Sequence, residues 1–438
     1  VSSSLRRGAL VLALALIVLG SERLLKDHYY SRSYRYYEAG EVYWEDSHTL
    51  LLFSPDRYLF WRLKPNIRMR LEETPEQYGA YVIGTRKAPY AFEVRTGSHG
   101  YNSPEFDCAH KGSLFRIVTL GDSRTMAEGV PFDDLYGRRL EALLRARPGN
   151  RGYEVVNAGV SGYSSYQGLI ELERELLSCA PDVVTVLFGI NDQDLDQGIS
   201  DVDKAARFDT PVTTLRAWSN RSMLVYFLRR QAWQLHGWLF GKTPARTLDY
   251  AGAGPRKARV PLEAYARNLE RIAELGRSSG FRPVFLILPS SPYAYYPELF
   301  PDQAALPAEA AHALDSVEAL VDQQPAAAET RLRALLQERP ESSRARHLLA
   351  RSLQRLGRFE EAHAVFVEMN RSIIFSRYEA IVRQVAAARA VTLVDLTPEF
   401  TALRREPLYL DDMHPNRLGH EIIARRLHEE LVKASIVP

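Results

Sequence analysis

Four short stretches of the chain carry side chains that could do chemistry together. The first is Gly121-Asp122-Ser123-Arg124-Thr125, which follows the apolar run FRIVTL (115–120) and leads into a helical pattern. A serine on such a strand-to-helix turn holds its hydroxyl at the carboxyl edge of a sheet, where backbone N–H groups of the turn face whatever binds. Near the other end, YLDDMHPN (409–416) places Asp411 three residues before His414. That spacing lets a carboxylate reach the imidazole Nδ1 within one loop, which fixes the tautomer and leaves Nε2 free as a base. Between them, NAGVSG (157–162) and GIND (189–192) each follow an apolar run. They offer the Gly162 N–H and the Asn191 amide as donors to a developing oxyanion. A hydroxyl nucleophile, a base, a carboxylate to orient it and two donors describe acyl transfer through a covalent intermediate.

Other candidates fit less well. Asp412 stands only two residues before His414 and reads as a solvated or capping carboxylate, and His420, at the GHEII helix start, reads as structural. The remaining histidines show no HExxH or paired-ligand spacing, and no Walker or dinucleotide glycine pattern occurs, so no metal and no cofactor are expected. The tyrosines of PYAYY (292–296) follow an apolar run and either wall a pocket or pack on the surface.

The elements that must position these groups alternate in type. Short apolar runs at 115–120, 153–156, 183–188, 284–288 and 391–396 read as buried strands. Helical spacing separates them: Tyr136, Leu140, Leu143 and Leu144; Leu169, Leu172 and Leu176; Leu262, Tyr265, Leu269 and Ile272; and the stretch 418–432. Strand and helix in alternation imply a parallel sheet covered by helices on both faces, with the chemical residues at its carboxyl edge. Two stretches interrupt the rhythm. Residues 196–258 mix an amphipathic segment containing Trp218, Trp233 and Trp238 with the linker AGAGPRKAR, and residues 301–375 are almost wholly helical in pattern.

The 438 residues are 46% hydrophobic and 25% charged, which excludes a disordered chain, a collagen-like fibre and a polytopic membrane protein. Fifty-six basic and 54 acidic residues leave +2, far from the balance of a nucleic-acid binder. Two cysteines, Cys108 and Cys179, cannot make a disulfide scaffold or a four-ligand zinc site. Arg6 and Arg7 precede an apolar run from Gly8 to Gly20. At about 1.5 Å per residue it spans about 20 Å, short of the roughly 30 Å hydrocarbon core, although Leu5, Leu24 and Leu25 extend it. Basic residues ahead of an apolar stretch describe a signal peptide or an uncleaved signal anchor. The reading adopted is a transmembrane anchor over 1–26 that leaves the rest outside the cytoplasm, in a bacterial periplasm or at the cell surface. A tyrosine-rich cap with short strands follows over 27–110, then the first part of the catalytic domain over 111–300, the helical insertion over 301–375, and the rest of that domain over 376–438.

The four blocks, in this order and each at a strand end, resemble the SGNH subgroup of the GDSL esterases and lipases over roughly 115–200, 260–300 and 376–433. The resemblance implies a flavodoxin-like three-layer α/β/α fold with five parallel strands. It also implies Ser123 as nucleophile, His414 as base, Asp411 as its orienter, and an oxyanion hole of Ser123 N–H, Gly162 N–H and Asn191. Two positions depart from the family pattern. Arg124 replaces an aliphatic residue, and either reaches solvent or contacts an anionic substrate group; Ala127 stands where glycine is common and would tighten the site slightly. In the family's strand order Cys108 and Cys179 come to one edge of the sheet, as a disulfide or as two buried thiols. Within the helical insertion, RHLLARSLQRLGRFEEAHAVF (346–366) resembles a tetratricopeptide repeat: Leu349, Ala350, Gly357, Ala362 and Phe366 stand at its packing positions, with Ala328 one 34-residue period before Ala362. The insertion is either a helical hairpin packed on the body or a platform for a protein partner.

These readings imply a membrane-anchored serine esterase that cleaves acetyl or other short-chain esters of a cell-envelope glycan or lipid. Activity is expected to fall below about pH 6, where an unperturbed histidine protonates. The alternative is a polysaccharide O-acyltransferase served by a membrane-bound acyl donor protein, in which an alcohol replaces water. A third reading is a non-catalytic scaffold.

Overall fold

The computed structural model describes residues 3–31, 33–35, 49–73, 90–147, 152–194, 199–208, 222–240, 257–293, 308–371, 376–404 and 406–438. The five apolar runs form the five parallel strands of one sheet: β1 (Phe115–Gly121), β2 (Tyr153–Gly159), β3 (Val183–Leu187), β4 (Arg282–Ile287) and β5 (Thr392–Asp395), in the order β5-β4-β3-β1-β2. Strands β1, β2 and β3 are buried on both faces almost throughout, which is why they read as continuous apolar runs rather than alternating ones.

The helices that matter for the site and its surroundings are α1 (Ser3–Tyr30), α2 (Ser123–Met126), α3 (Tyr136–Arg145), α4 (Ser165–Arg174), α5 (Met223–Phe240), α6 (Leu262–Ser279), α7 (Ala308–Val321), α8 (Pro325–Glu338), α9 (Ser343–Arg355), α10 (Phe359–Met369), α11 (Arg377–Arg389) and α12 (Arg417–Lys433), with further short helices such as Asp201–Phe208 between them. Successive strand residues point to opposite faces. Val118, Val156, Val184 and Phe285 meet Leu172 of α4, Leu269 and Ile272 of α6 and Val382 of α11. Ile117, Val155, Val183 and Val284 meet Leu140 and Leu144 of α3 and Ile423 and Leu427 of α12. The result is the expected α/β/α sandwich.

The cap holds a three-stranded sheet (Ser33–Arg35, Arg68–Glu73, Tyr90–Arg95) and an antiparallel pair (Phe53–Asp56, Phe60–Leu63). Trp61, Leu63, Met69 and Val94 belong to the same buried cluster as one face of the central sheet. The cap is therefore fused to the body. Helices α7 to α10 instead enclose a core of their own, with Val321, Ala328, Leu332, Leu348, Leu353 and Ala362 at its centre. Gly357 turns the chain between α9 and α10 at φ +75°.

Cys108 and Cys179 are joined in a disulfide. The N-terminal run lies in α1, with Leu10 62% and Leu19 66% exposed. Among the described residues no helix is long and apolar enough to cross a membrane. The expected transmembrane helix is corrected on this point: past Gly20 the polar residues Ser21, Glu22, Arg23 and Lys26 cut the apolar run short. Glu22 has a structural task instead. Its carboxylate accepts from Met223 N at 2.9 Å, Leu224 N at 3.0 Å and Ser222 Oγ at 2.8 Å, tying the start of α5 to α1. Trp238 of α5 is 80% exposed, and Trp218 lies outside the described residues.

Candidate active site

β1 stops at Gly121 and α2 opens at Ser123, with Asp122 between them as N-cap, its Oδ1 accepting from Arg124 N at 2.9 Å. The turn presses hard on the sheet. A Cβ on Gly159 of β2 would lie 2.2 Å from Met126 N, so only glycine fits beneath it. This contact holds the Ser123 hydroxyl at the carboxyl edge.

The loop after β5 and its following turn brings the base. His414 Nε2 lies 2.8 Å from Ser123 Oγ, and His414 Nδ1 lies 2.6 Å from Asp411 Oδ2. The other Asp411 oxygen accepts from Met413 N at 2.8 Å and His414 N at 2.7 Å, which closes the loop around its own carboxylate. Burial by itself would push this carboxyl up, but His414 and the two N–H bonds outweigh it and hold Asp411 below the usual carboxylate range. An ionised Asp411 keeps the proton on Nδ1 and turns the Nε2 lone pair toward the serine hydroxyl.

The opposite side of Ser123 is built from two neighbouring strands. Gly121 pairs with Gly159 of β2 and with Leu187 of β3, so Ser123, Gly162 and Asn191 all stand just beyond adjacent strand ends. Three consecutive carbonyls in the loop after β2 are each tied by a side chain from a different part of the chain. Trp61 Nε1 of the cap donates to Ser161 O at 2.9 Å. Arg259, at the exit of the 196–258 stretch, donates through Nη1 to Gly162 O at 2.7 Å. Asn191 Nδ2 donates to Tyr163 O at 3.0 Å. In a trans peptide the carbonyl and the N–H point opposite ways. Pinning Ser161 O on the indole therefore sets the direction of the Gly162 N–H. Gly162 sits at φ +73°, in the left-handed region. The clamp is itself braced: Tyr163 Oη donates to Trp61 O at 2.6 Å, and Arg259 pairs with buried Asp201 at 3.1 Å.

Arg124 does not reach solvent, and its guanidinium is taken up by protein partners. It is 3% exposed, with Nε and Nη2 on the Asp122 carboxylate (2.7 Å for Nη2) and Nη1 on Leu288 O at 3.0 Å. Burial opposes its charge, but Asp122 outweighs burial and raises its pKa. A guanidinium two residues from a carboxylate on a tight turn finds its counterion beneath the turn. Ala127 ends α2 at φ 65°, ψ 55°. That conformation explains the preference for glycine at this position. His420 is fully buried, accepts through Nδ1 from Tyr136 N at 3.2 Å, and is pushed down to about 3 by burial, so it is neutral and structural. The Asp412 carbonyl accepts from Ser291 N at 2.7 Å. Of the PYAYY tyrosines, Tyr293 packs on the helical unit, while Tyr295 and Tyr296 lie outside the described residues.

Three residues escaped the sequence reading. Trp61 and Arg259 are two of them. The third is Glu128, 8% exposed, whose Oε2 lies 3.7 Å from His414 Nε2. Its N–H returns to Ser123 O at 3.3 Å, so the turn after α2 folds the carboxylate back to the site. Among the described residues no group of three or more His, Cys, Asp or Glu side chains is arranged to hold a metal ion.

Residues 119–314 match the GDSL-like lipase/acylhydrolase family. The chain thus carries a GDSL-like lipase/acylhydrolase domain. That domain makes it an ester-hydrolysing enzyme. The match ends before the helical unit does, so Asp411 and His414 join the site through the fold, across the insertion. Residues 319–372 match a tetratricopeptide repeat. No curated protein sequence matches. Solved structures similar to the chain include an acetylxylan esterase from Geobacillus stearothermophilus (16% identity, 73% of this chain and 95% of that one, TM-score 0.35). A lipase/acylhydrolase from Enterococcus faecalis is another (17%, 73% and 96%, TM-score 0.34), and the acetyl xylan esterase AlAXEase a third (13%, 72% and 98%, TM-score 0.35). At such scores the likeness carries no argument about substrate.

Proposed function

We propose that the chain is a serine esterase that removes acetyl or other short acyl groups from a glycan or lipid of the cell envelope, working outside the cytoplasm beside a membrane. The observation that carries the reading is the unbroken series Ser123 Oγ, His414 Nε2, His414 Nδ1, Asp411 Oδ2, with steps of 2.8 and 2.6 Å at its two ends. Ser123 Oγ attacks the ester carbonyl carbon while Nε2 takes its proton. The carbonyl oxygen becomes an oxyanion that accepts from Ser123 N–H, Gly162 N–H and the second N–H of the Asn191 amide. The imidazolium then returns the proton to the leaving alcohol oxygen as the C–O bond breaks, and Asp411 stays ionised throughout. Water attacks the acyl-enzyme with His414 again as base and releases the acid. Glu128, beside Nε2, accepts a hydrogen bond from the incoming or leaving hydroxyl.

Two features support the location. The apolar side chains of α1 from Leu10 to Leu19 stand exposed, a surface suited to lie against a membrane interface with Arg23 and Lys26 at the headgroups. A bonded Cys108–Cys179 pair suits an oxidising compartment.

The test uses the purified full chain with an aryl acetate, read by released phenol and intact mass, with Ser123→Ala alongside. Steady release that disappears in the variant is the expected result. A single burst, with an acetyl adduct that persists until an alcohol is added, would make the protein an O-acyltransferase. Folded protein giving neither adduct nor turnover would overturn both readings and leave the scaffold.

A further inference from the structure

A cavity of about 1240 Å³ opens at the end of the molecule away from Ser123. It reaches Cys108 and Cys179, near the amino-terminal ends of β1 and β3, and it is closed on one side by the last turns of α1. Four cations line it: Lys26 of α1, and Arg62, Lys64 and Arg68 of the cap. Two carboxylates, Asp27 and Glu175, line it as well, so the wall carries a surplus of positive charge.

Three of the cations have a carboxylate at hand. Lys26 lies 3.6 Å from Glu22, Arg62 3.6 Å from Glu175 and Arg68 3.0 Å from Glu93. Lys64 is different. It is 9% exposed, and among the described residues its ammonium has neither an ion-pair nor a hydrogen-bond partner. Burial draws its pKa down to about 8, with Glu22 offsetting and Lys26 adding to the effect. A buried ammonium is costly unless paired, and proteins that keep one usually give it a counterion or a ligand. A neutral residue of the same length would fill the position at less cost, since the hairpin needs only an aliphatic stem there.

We propose that this cavity binds a phosphate-bearing anion, with Lys64 as its central charge and Lys26, Arg62 and Arg68 around it. A phosphate monoester carries about −1.5 to −2 at neutral pH and matches the surplus of the wall better than a single carboxylate does. The volume admits a phosphate ester with its alcohol rather than a bare ion. The ester comes from one of two sources: a lipid headgroup at the membrane surface, or a soluble metabolite. α1 ends on the cavity, which favours the headgroup; that choice of source rests on the membrane location proposed above, whereas the anion site does not.

The experiment uses the full chain in detergent, titrated with glycerol 3-phosphate and, as a control, with glycerol. Calorimetry and the thermal midpoint are expected to show saturable binding of the phosphate ester alone. Lys64→Met keeps the stem and removes the charge; its midpoint without ligand is expected to equal or exceed that of the parent, and its affinity to fall about 10- to 100-fold. Lys64→Gln serves if the methionine variant does not fold. Flotation with phosphatidylcholine vesicles, with and without phosphatidic acid, separates the sources: a preference for the acidic vesicles that is lost with Lys64 assigns the headgroup, and its absence assigns a soluble ester. No saturable binding by the parent chain, or equal affinity in the variant, would overturn the proposal. Aryl acetate turnover is expected to be the same in parent and variant, so a failed esterase assay and a failed anion site read out separately.

Discussion

The cap and the helical unit are both additions to the sheet, and they meet the site in different ways. The cap shares the sheet's own core and places Trp61 Nε1 directly on Ser161 O. The helical unit has a separate core and touches the body at Tyr293, whose hydroxyl lies 2.9 Å from His363 Nδ1, and at Pro292 O, which accepts from Asn370 Nδ2 at 2.7 Å. From there the path to His414 runs through Ser291 N on Asp412 O and through Tyr409 Oη on Pro289 O. One addition is a single bond from the peptide that carries the Gly162 N–H; the other is several contacts from the base. An insertion becomes part of the chemistry through the group its first polar contact reaches, not through its size.

The largest effects set the scale for both sides. Asp411→Asn is expected to lower kcat by about 10⁴-fold, because the amide offers Nδ1 the wrong partner. It also alters acid stability. The folded carboxyl titrates below its unfolded value, so its contribution to folding is present above about pH 4 and is lost as pH falls through the folded value. Unfolding of Asp411→Asn should accordingly depend less on pH between neutrality and acid than unfolding of the parent. Asn191→Ala is expected to lower kcat by about 10²- to 10³-fold, and turnover of an aryl acetate with KM recorded separately checks it.

Trp61→Phe isolates the cap's contact with the oxyanion loop. It removes one N–H, leaves the ring in its pocket and leaves the Trp61 carbonyl for Tyr163. The Ser161 carbonyl is freed, the Gly162 N–H loses its fixed direction, and kcat is expected to fall about tenfold with KM unchanged. Trp61→His, which keeps a ring donor, should recover part of the loss. Unchanged kcat in Trp61→Phe would reduce the cap to a structural cover and erase the distinction. A smaller effect tests the turn itself. Ala127→Gly relieves a left-handed alanine and should raise stability by about 1 kcal/mol in a denaturant titration, with kcat nearly constant.

The strands and the four chemical blocks could be read from residue types because both depend on local pattern. FRIVTL stops where β1 stops, and Asp411 reaches His414 across three residues. Trp61 and Arg259 could not be read in this way. Their bonds span 100 and 97 residues and end on backbone carbonyls, which every residue possesses and which leave no mark in the sequence. The role of Arg124 is hidden for a related reason: its partner Asp122 stands two residues away in the sequence, but only the buried turn brings guanidinium and carboxylate face to face. The N-terminal run suggests a span because its composition is apolar, while Glu22, which ends the run, is engaged by the start of α5 two hundred residues later.

The smallest expected effect bears hardest on the comparison. Tyr293→Phe removes the hydroxyl beside His363 and keeps the ring, which packs edge-on against Phe366 with centroids 5.3 Å apart. His363 is half-buried, so water can replace the lost partner, and the cost to stability is expected to stay near or below about 1 kcal/mol. No bond between Ser291 and Asp412, or between Tyr409 and Pro289, depends on that hydroxyl, so kcat and KM for an aryl acetate should both match the parent. A fall in kcat comparable to that of Trp61→Phe, in protein with an unchanged thermal midpoint, would mean that the helical unit acts on the base loop as the cap acts on the oxyanion loop. A partner bound to the tetratricopeptide repeat would then have a route to the chemistry, through the 288–293 loop to Asp412 and His414.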